Sequence, residues 1–255
     1  MKKIEWIMGM PITVEIVDQS RTDVEKEEML KKVFDYFTAV DARFSTYKND
    51  SEISRINRGE IKESQYSAEA REVFALSEQT RQETHGYFNI RTPEGKYDPS
   101  GLVKGWAIYH AANIVWEAGY KQFYIDAGGD SEVVGTDEQG KPWSVGIRDP
   151  FSDNKSDIIK TVYVSDRGVA TSGAYIRGQH IYNPHKGRVS LDEVASITVI
   201  GPNVYEADRF ATAAFAMGRE GIHFIEQMEG FEGYMVSRDG IATMTTGFEH
   251  HTRYI

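Results

Sequence analysis

The chain has no cysteine. Disulfides, zinc–thiolate sites, iron–sulfur clusters and a cysteine nucleophile are therefore excluded, and the redox compartment is left open. Positive charge is scarce: 29 Lys and Arg against 39 Asp and Glu give a formal net charge of -10. No basic stripe is present to neutralise a phosphate backbone, so a nucleic-acid partner is not expected. A polyanionic ligand would need a local positive group or a metal ion. Long apolar runs are also missing. The start, Met1-Lys-Lys-Ile-Glu-Trp-Ile-Met8, has two lysines but no apolar stretch of signal length, and no segment approaches a membrane span. With that start taken as native, a cytoplasmic protein is expected.

What is present is ordinary for a globular protein with a full core: 40% hydrophobic and 27% charged residues. No repeat, low-complexity tract or linker divides the chain, so residues 1–255 are read as one unit, with Pro150 to Ser156 as its loosest loop. Apolar periodicity predicts helices over Thr22–Val40, Ser67–Thr84, Gly101–Ala118 and Glu206–Met217, with a short helix after Ser51. Strands are predicted at Ile12–Val17, Phe123–Ile125, Glu132–Val134, Trp143–Ile147, Thr161–Val164, Val169–Thr171 and Ser196–Ile200. Gly233–Ser237 and Ile241–Met244 read as a hairpin around Arg238-Asp-Gly240. Tyr87–Ile90 reads as a brief extended piece. Helices come first and antiparallel-looking strands follow, which favours an α+β fold over a doubly wound parallel sheet.

Two stretches carry the chemistry. Asp98-Pro-Ser-Gly-Leu-Val-Lys-Gly105 is a polar turn running into a helix. Ser100 is a favourable N-cap, the helix start favours an anion, and Lys104 adds a charge one turn in. The turn matches neither the Walker pattern nor the dinucleotide fingerprint. In Tyr205-Glu-Ala-Asp-Arg-Phe-Ala-Thr212, Asp208 and Thr212 are four apart and share one helix face. A carboxylate and a hydroxyl at that spacing suit a hard cation such as Mg²⁺. They equally suit a helix-start Asp facing backbone N–H groups and a Thr bonded into its own turn. His180 can serve as a general base near neutral pH or as a structural hydrogen-bonded group. Met8, Tyr47 and Phe88 can line a flat aromatic ligand or pack in the core.

Together these pieces resemble the ApbE family, the FAD:protein FMN transferases. In family order they are Met8-Gly9, Phe44-Ser-Thr-Tyr47 with Ser51 and Asn57, Gly86-Tyr-Phe-Asn89, Asp98–Gly105, Ala127-Gly-Gly-Asp130, Val145–Pro150, Ala170–Tyr175, His180-Ile-Tyr-Asn-Pro184 and Ala207–Thr212 with Met217-Gly218. The resemblance implies an α+β, T-fold-like unit with a mostly antiparallel sheet flanked by helices. It implies Mg²⁺-dependent transfer of FMN from FAD to a Thr or Ser hydroxyl of an acceptor protein bearing an Asp-x-x-(Thr/Ser)-Gly-Ala-Thr-like motif, with release of AMP. By that resemblance Met8, Tyr47, Tyr87, Phe88, Asn89, Asp98, Lys104 and Tyr182 line the FAD site. Gly101 through its carbonyl, Asp208 and Thr212 hold the magnesium, and His180 deprotonates the acceptor hydroxyl. The chain departs from the family in a short connection over Ile90–Tyr97, in Tyr109 where an Asp is common, and in Asn183 where Asp is usual. Two other activities fit the same residues: hydrolysis of FAD to FMN and AMP, and FAD binding without turnover.

Overall fold

In the computed structural model, residues 1–154, 156–173, 183–185 and 193–253 are described. The chain opens with β1 (Lys2–Ile7) and β2 (Met10–Ile16), then four helices, α1 (Asp23–Phe44), α2 (Glu52–Asn57), α3 (Ala68–Glu83) and α4 (Ser100–Glu117). Five strands follow: β3 (Phe123–Ala127), β4 (Asp130–Val134), β5 (Trp143–Arg148), β6 (Ile158–Val164) and β7 (Arg167–Gly173). Then come β8 (Val194–Gly201), α5 (Val204–Met217), α6 (Gly221–Glu226), β9 (Glu232–Ser237) and β10 (Ala242–Met244).

Local chemistry sets the helix starts. Thr22 caps α1 in a capping box with Glu25, and Ser51, Ser67 and Asn203 each accept a backbone N–H at the starts of α2, α3 and α5. Each such cap satisfies a donor that the first helical turn leaves free. α4 differs from the expectation. Ser100 is its first residue rather than its cap, Pro99 stands at the cap position, and Asp98 Oδ1 accepts the Ser100 N–H at 3.1 Å. Proline has no N–H to satisfy and presets a helical φ, so the preceding aspartate supplies the side-chain acceptor.

Among the described residues, eight strands form one sheet in the order β1-β2-β3-β4-β7-β8-β9-β10, and β5 and β6 form a separate hairpin. Every pairing is antiparallel. The strands alternate between two faces, as the two-residue strand period requires. One face packs on helices: Ile12, Val14, Ile125 and Ala127 meet α1 and α4, and Ile197, Val199 and Met235 meet α5 and α6. The other face, with Val133, Val169, Ile200 and Val236, is covered by Trp143, Val145 and Val162 of the β5–β6 hairpin. The fold is α+β with a mostly antiparallel sheet, as expected.

Two segments differ from the sequence reading. Lys2–Ile7 is a strand at the sheet edge, although its apolar residues Ile4 and Trp6 face solvent. Tyr87–Ile90 is not extended. His85 (φ 51°) and Gly86 (φ 83°) reverse the chain after α3, and the Phe88 N–H returns to Thr84 Oγ1 at 3.1 Å. A left-handed pair of this kind is a helix stop, and the turn it starts overrides the β preference of Tyr, Phe and Ile.

Candidate functional site

The site lies where α4 crosses α5. Gly101 and Gly105 are one turn apart on α4, and Asp208 and Thr212 are one turn apart on α5. The two pairs face each other. A Cβ placed on Gly105 would stand 2.6 Å from the Asp208 Cβ and 2.8 Å from the Val204 carbonyl oxygen. One placed on Gly101 would stand 3.0 Å from Thr212 Cγ2. The glycines let the backbones approach closely enough for direct contact. The Gly105 N–H donates to Asp208 Oδ2 at 2.8 Å, and the Thr212 hydroxyl donates to the Gly101 carbonyl at 3.2 Å. Ser172 on β7 adds its hydroxyl 3.4 Å from that of Thr212.

Lys104 projects between two buried carboxylates. Its Nζ pairs with Asp130 Oδ2 and lies 3.5 Å from Asp208 Oδ1. Asp130 Oδ1 also accepts the Thr171 N–H at 3.0 Å. Burial pushes the Asp208 carboxyl well above the usual carboxylate range; Lys104 opposes the shift and the Asp130 charge adds to it. One lysine faces two buried aspartates, so ionising both would leave an excess negative charge that a cation close by would offset. The oxygen donors at hand are a carboxylate, a hydroxyl and a backbone carbonyl, the hard-oxygen chemistry that magnesium takes while keeping waters or phosphate oxygens as its other ligands. The residues present fit such an ion. Among the described residues, no cluster of three or more His, Cys, Asp or Glu side chains could hold a metal.

From Lys104 a cleft runs outward past Ser100 and Val103 to Met8, Phe44 and Tyr47. Met8 and Gly9 form the two-residue turn between β1 and β2, both at positive φ (56° and 72°). Tyr47 stands on the turn after α1 with 96% of its surface exposed. A thioether and an aromatic ring are therefore held at the mouth of a cleft that ends at a lysine.

The remaining predicted residues are placed as follows. Phe88 is buried, 3% exposed, and its ring lies under Gly101. Asn89 is exposed and accepts the Arg91 N–H at 2.8 Å. Tyr87 meets the His185 ring edge-on at 4.6 Å, and His185 Nε2 lies 3.0 Å from the His85 carbonyl. The segment Asn183–His185 thus sits against the turn after α3. Asp98 is half-buried at the start of α4, and Asn57 grips the Tyr97 backbone beside it with bonds of 2.7 and 2.8 Å. His180 and Tyr182 lie outside the described residues.

Sequence reasoning did not assign roles to Asp130 and Gly105. Both stand in stretches that carry the family resemblance, but their function depends on partners 26 and 103 positions away in the chain, Lys104 and Asp208.

Residues 8–94 and 89–235 match the model of the ApbE family. The FAD:protein FMN transferase of Salmonella typhimurium is 27% identical over 164 residues, 61% of this chain and 47% of that protein. The protein of the same name from Escherichia coli K12 is 28% identical over 162 residues, 60% of this chain and 46% of its own length. The chain therefore spans about half the length of these relatives. Among solved structures, the flavin transferase ApbE of Vibrio cholerae superposes with a TM-score of 0.83 at 21% identity, covering 98% of both chains. The ApbE protein of Thermotoga maritima superposes with a TM-score of 0.85 at 19% identity, covering 99% of both. With family-model matches from residue 8 to residue 235 and a shared fold, this chain belongs to the ApbE family.

Proposed function

We propose that this chain transfers FMN from FAD to a threonine or serine hydroxyl of an acceptor protein, with magnesium held by the Gly101 carbonyl, Asp208 and Thr212. The observation that carries the reading is the cleft itself: it joins a thioether and an exposed aromatic ring at Met8 and Tyr47 to a cation at Lys104 beside the oxygen donors of α4 and α5. That is the length-wise order of FAD, a flat flavin followed by a pyrophosphate. The names of the relatives agree with it.

In this reading Met8 and Tyr47 take the two faces of the isoalloxazine ring. Tyr87, Asn89, Asp98 and Tyr182 border the rest of the ligand, and Phe88 supports the turn from beneath Gly101. Lys104 meets a pyrophosphate oxygen, and Asp130 and Asp208 hold its ammonium in place. When bound, magnesium supplies charge neutralisation at the pyrophosphate. His180 takes the proton from the acceptor hydroxyl. The acceptor oxygen bonds to the FMN phosphorus, the bond from that phosphorus to the bridging oxygen breaks, and AMP leaves with that oxygen. The acceptor would present an Asp-x-x-(Thr/Ser)-Gly-Ala-Thr-like segment.

The test is to incubate the protein with FAD, Mg²⁺ and an acceptor carrying that segment, then to separate bound from free flavin. Flavin that stays on denatured acceptor, with one AMP released per flavin attached, is the expected result. Free FMN with an unmodified acceptor would mean FAD hydrolysis, and intact FAD held by the protein would mean binding without turnover.

A further inference from the structure

Next to Asp208, the side chain of Arg209 is buried, 5% exposed, yet points away from the cleft. It reaches across to α3. Its Nη1 pairs with Glu83 and donates to Thr80 Oγ1 at 3.2 Å, while Nε and Nη2 hold Glu206 on its own helix at 2.9 and 2.6 Å. The guanidinium also covers the Phe210 ring at 4.0 Å. A planar, permanently charged fork is the one side chain that can satisfy two carboxylates and stack on a ring at once. Such a buried charge is costly to leave half-paired, so its partners are fixed relative to one another.

What it fixes are the two sides of the site. Arg209 stands between Asp208 and Thr212 on α5. Glu83 is the last residue of α3, and the turn that follows carries Tyr87, Phe88 and Asn89. Thr80 passes the restraint on: its carbonyl accepts the Thr84 hydroxyl at 2.7 Å, and Thr84 Oγ1 accepts the Phe88 N–H at 3.1 Å. Phe88 in turn lies under Gly101. We infer that Arg209 is a positioning residue that sets the distance between the α5 oxygen donors and the Tyr87–Asn89 turn, and so the fit of FAD between them. The inference rests on the reading of the cleft as an FAD site.

The test uses Arg209→Lys and Glu83→Gln in the full chain. A lysine keeps the charge but cannot bridge α3 and α5, and Glu83→Gln removes the charged α3 partner, leaving the Thr80 hydroxyl as the remaining bond to α3 and Glu206 to pair the arginine. Each is expected to raise KM for FAD about tenfold, the scale of a sub-ångström to ångström misplacement. The double variant should do no worse than either single one, because both break the same link. The Mg²⁺ concentration giving half-maximal rate should change less than KM for FAD in all of them, since two of the three proposed donors, Asp208 and Thr212, share one helix. Glu206→Gln weakens a partner on Arg209's own helix and keeps the link to α3, so it should raise KM for FAD less than Glu83→Gln does. Unchanged KM in Glu83→Gln, or a KM rise that adds fully in the double variant, overturns the inference even if Arg209→Lys fails to fold. A parent protein that transfers FMN normally while the variants do so with unchanged KM sinks the positioning role alone. A parent that neither binds FAD nor transfers FMN overturns the cleft reading and this inference with it.

Discussion

Met8 occupies a backbone conformation that asparagine or glycine adopts more readily. Its φ of 56°, followed by 72° at Gly9, is the signature of a type I′ hairpin turn. A long side chain there costs roughly 1 kcal/mol, and strain of this kind collects where a side chain is used. Met8→Asn should therefore raise unfolding stability by ~0.5–1 kcal/mol and weaken FAD binding by about 1 kcal/mol through the lost thioether contact. Denaturant titration and flavin fluorescence quenching read the two effects separately; a variant that loses stability and keeps FAD affinity contradicts the assignment. Glu132 offers a second prediction. Its buried carboxyl accepts the Val204 N–H at the start of α5, and burial pushes its pKa from 4.5 up to about 8. The unfolded chain ionises this group first, so its contribution to stability falls as pH rises from about 4.5 to about 8, by on the order of a few kcal/mol, and is constant on either side. Glu132→Gln should make the slope over that window shallower and unfold at higher denaturant than the parent at pH 8.5. Parallel pH profiles for the two proteins would show that Glu132 is ionised in the fold.

At the scale of elements, the crossing of α4 and α5 is what makes a site from two helices. Gly105→Ala would push a Cβ to within 2.6 Å of the Asp208 Cβ. The helices must separate, at a cost of about 1–3 kcal/mol, and Asp208 loses its bond from the Gly105 N–H. Chemical denaturation should show the loss, and Mg²⁺-dependent activity should fall with it. Equal stability in Gly105→Ala would mean that the helices do not meet as described. The helices themselves were legible in the sequence because their apolar stripes are local signals: they start where expected, at Thr22, Ser51 and Ser67, each of which the structure shows to be a cap, and Asp208 and Thr212 share a face by spacing alone, whereas the one cap read from the sequence, Ser100, is the first residue of α4. The edge strand β1 was not, because Ile4 (59% exposed) and Trp6 (73%) put apolar side chains toward solvent, so no buried alternation marks it. The turn at Tyr87–Ile90 was hidden by its β-prone composition. Gly105 and Asp130 act through partners supplied by other elements, and no local pattern announces that.

Over the whole molecule, the cleft draws its walls from the β1–β2 turn, the turn after α1 and the start of α4, all stacked on one face of the sheet while the β5–β6 hairpin closes the other. None of these pieces makes the site alone. A net charge of -10 offers an anionic ligand little general attraction, and Lys104 is a cation that the cleft lining supplies locally. No helix among the described residues is long and apolar enough to cross a membrane. The proposed transfer, as opposed to binding alone, requires the α4–α5 oxygen donors. The most direct measurement is the intact mass of an acceptor protein after incubation with FAD and Mg²⁺, using the parent chain and Asp208→Ala side by side. The account predicts one FMN attached by the parent, none by Asp208→Ala, and FAD still bound by the variant through Met8 and Tyr47. An acceptor flavinylated equally well by Asp208→Ala would contradict it.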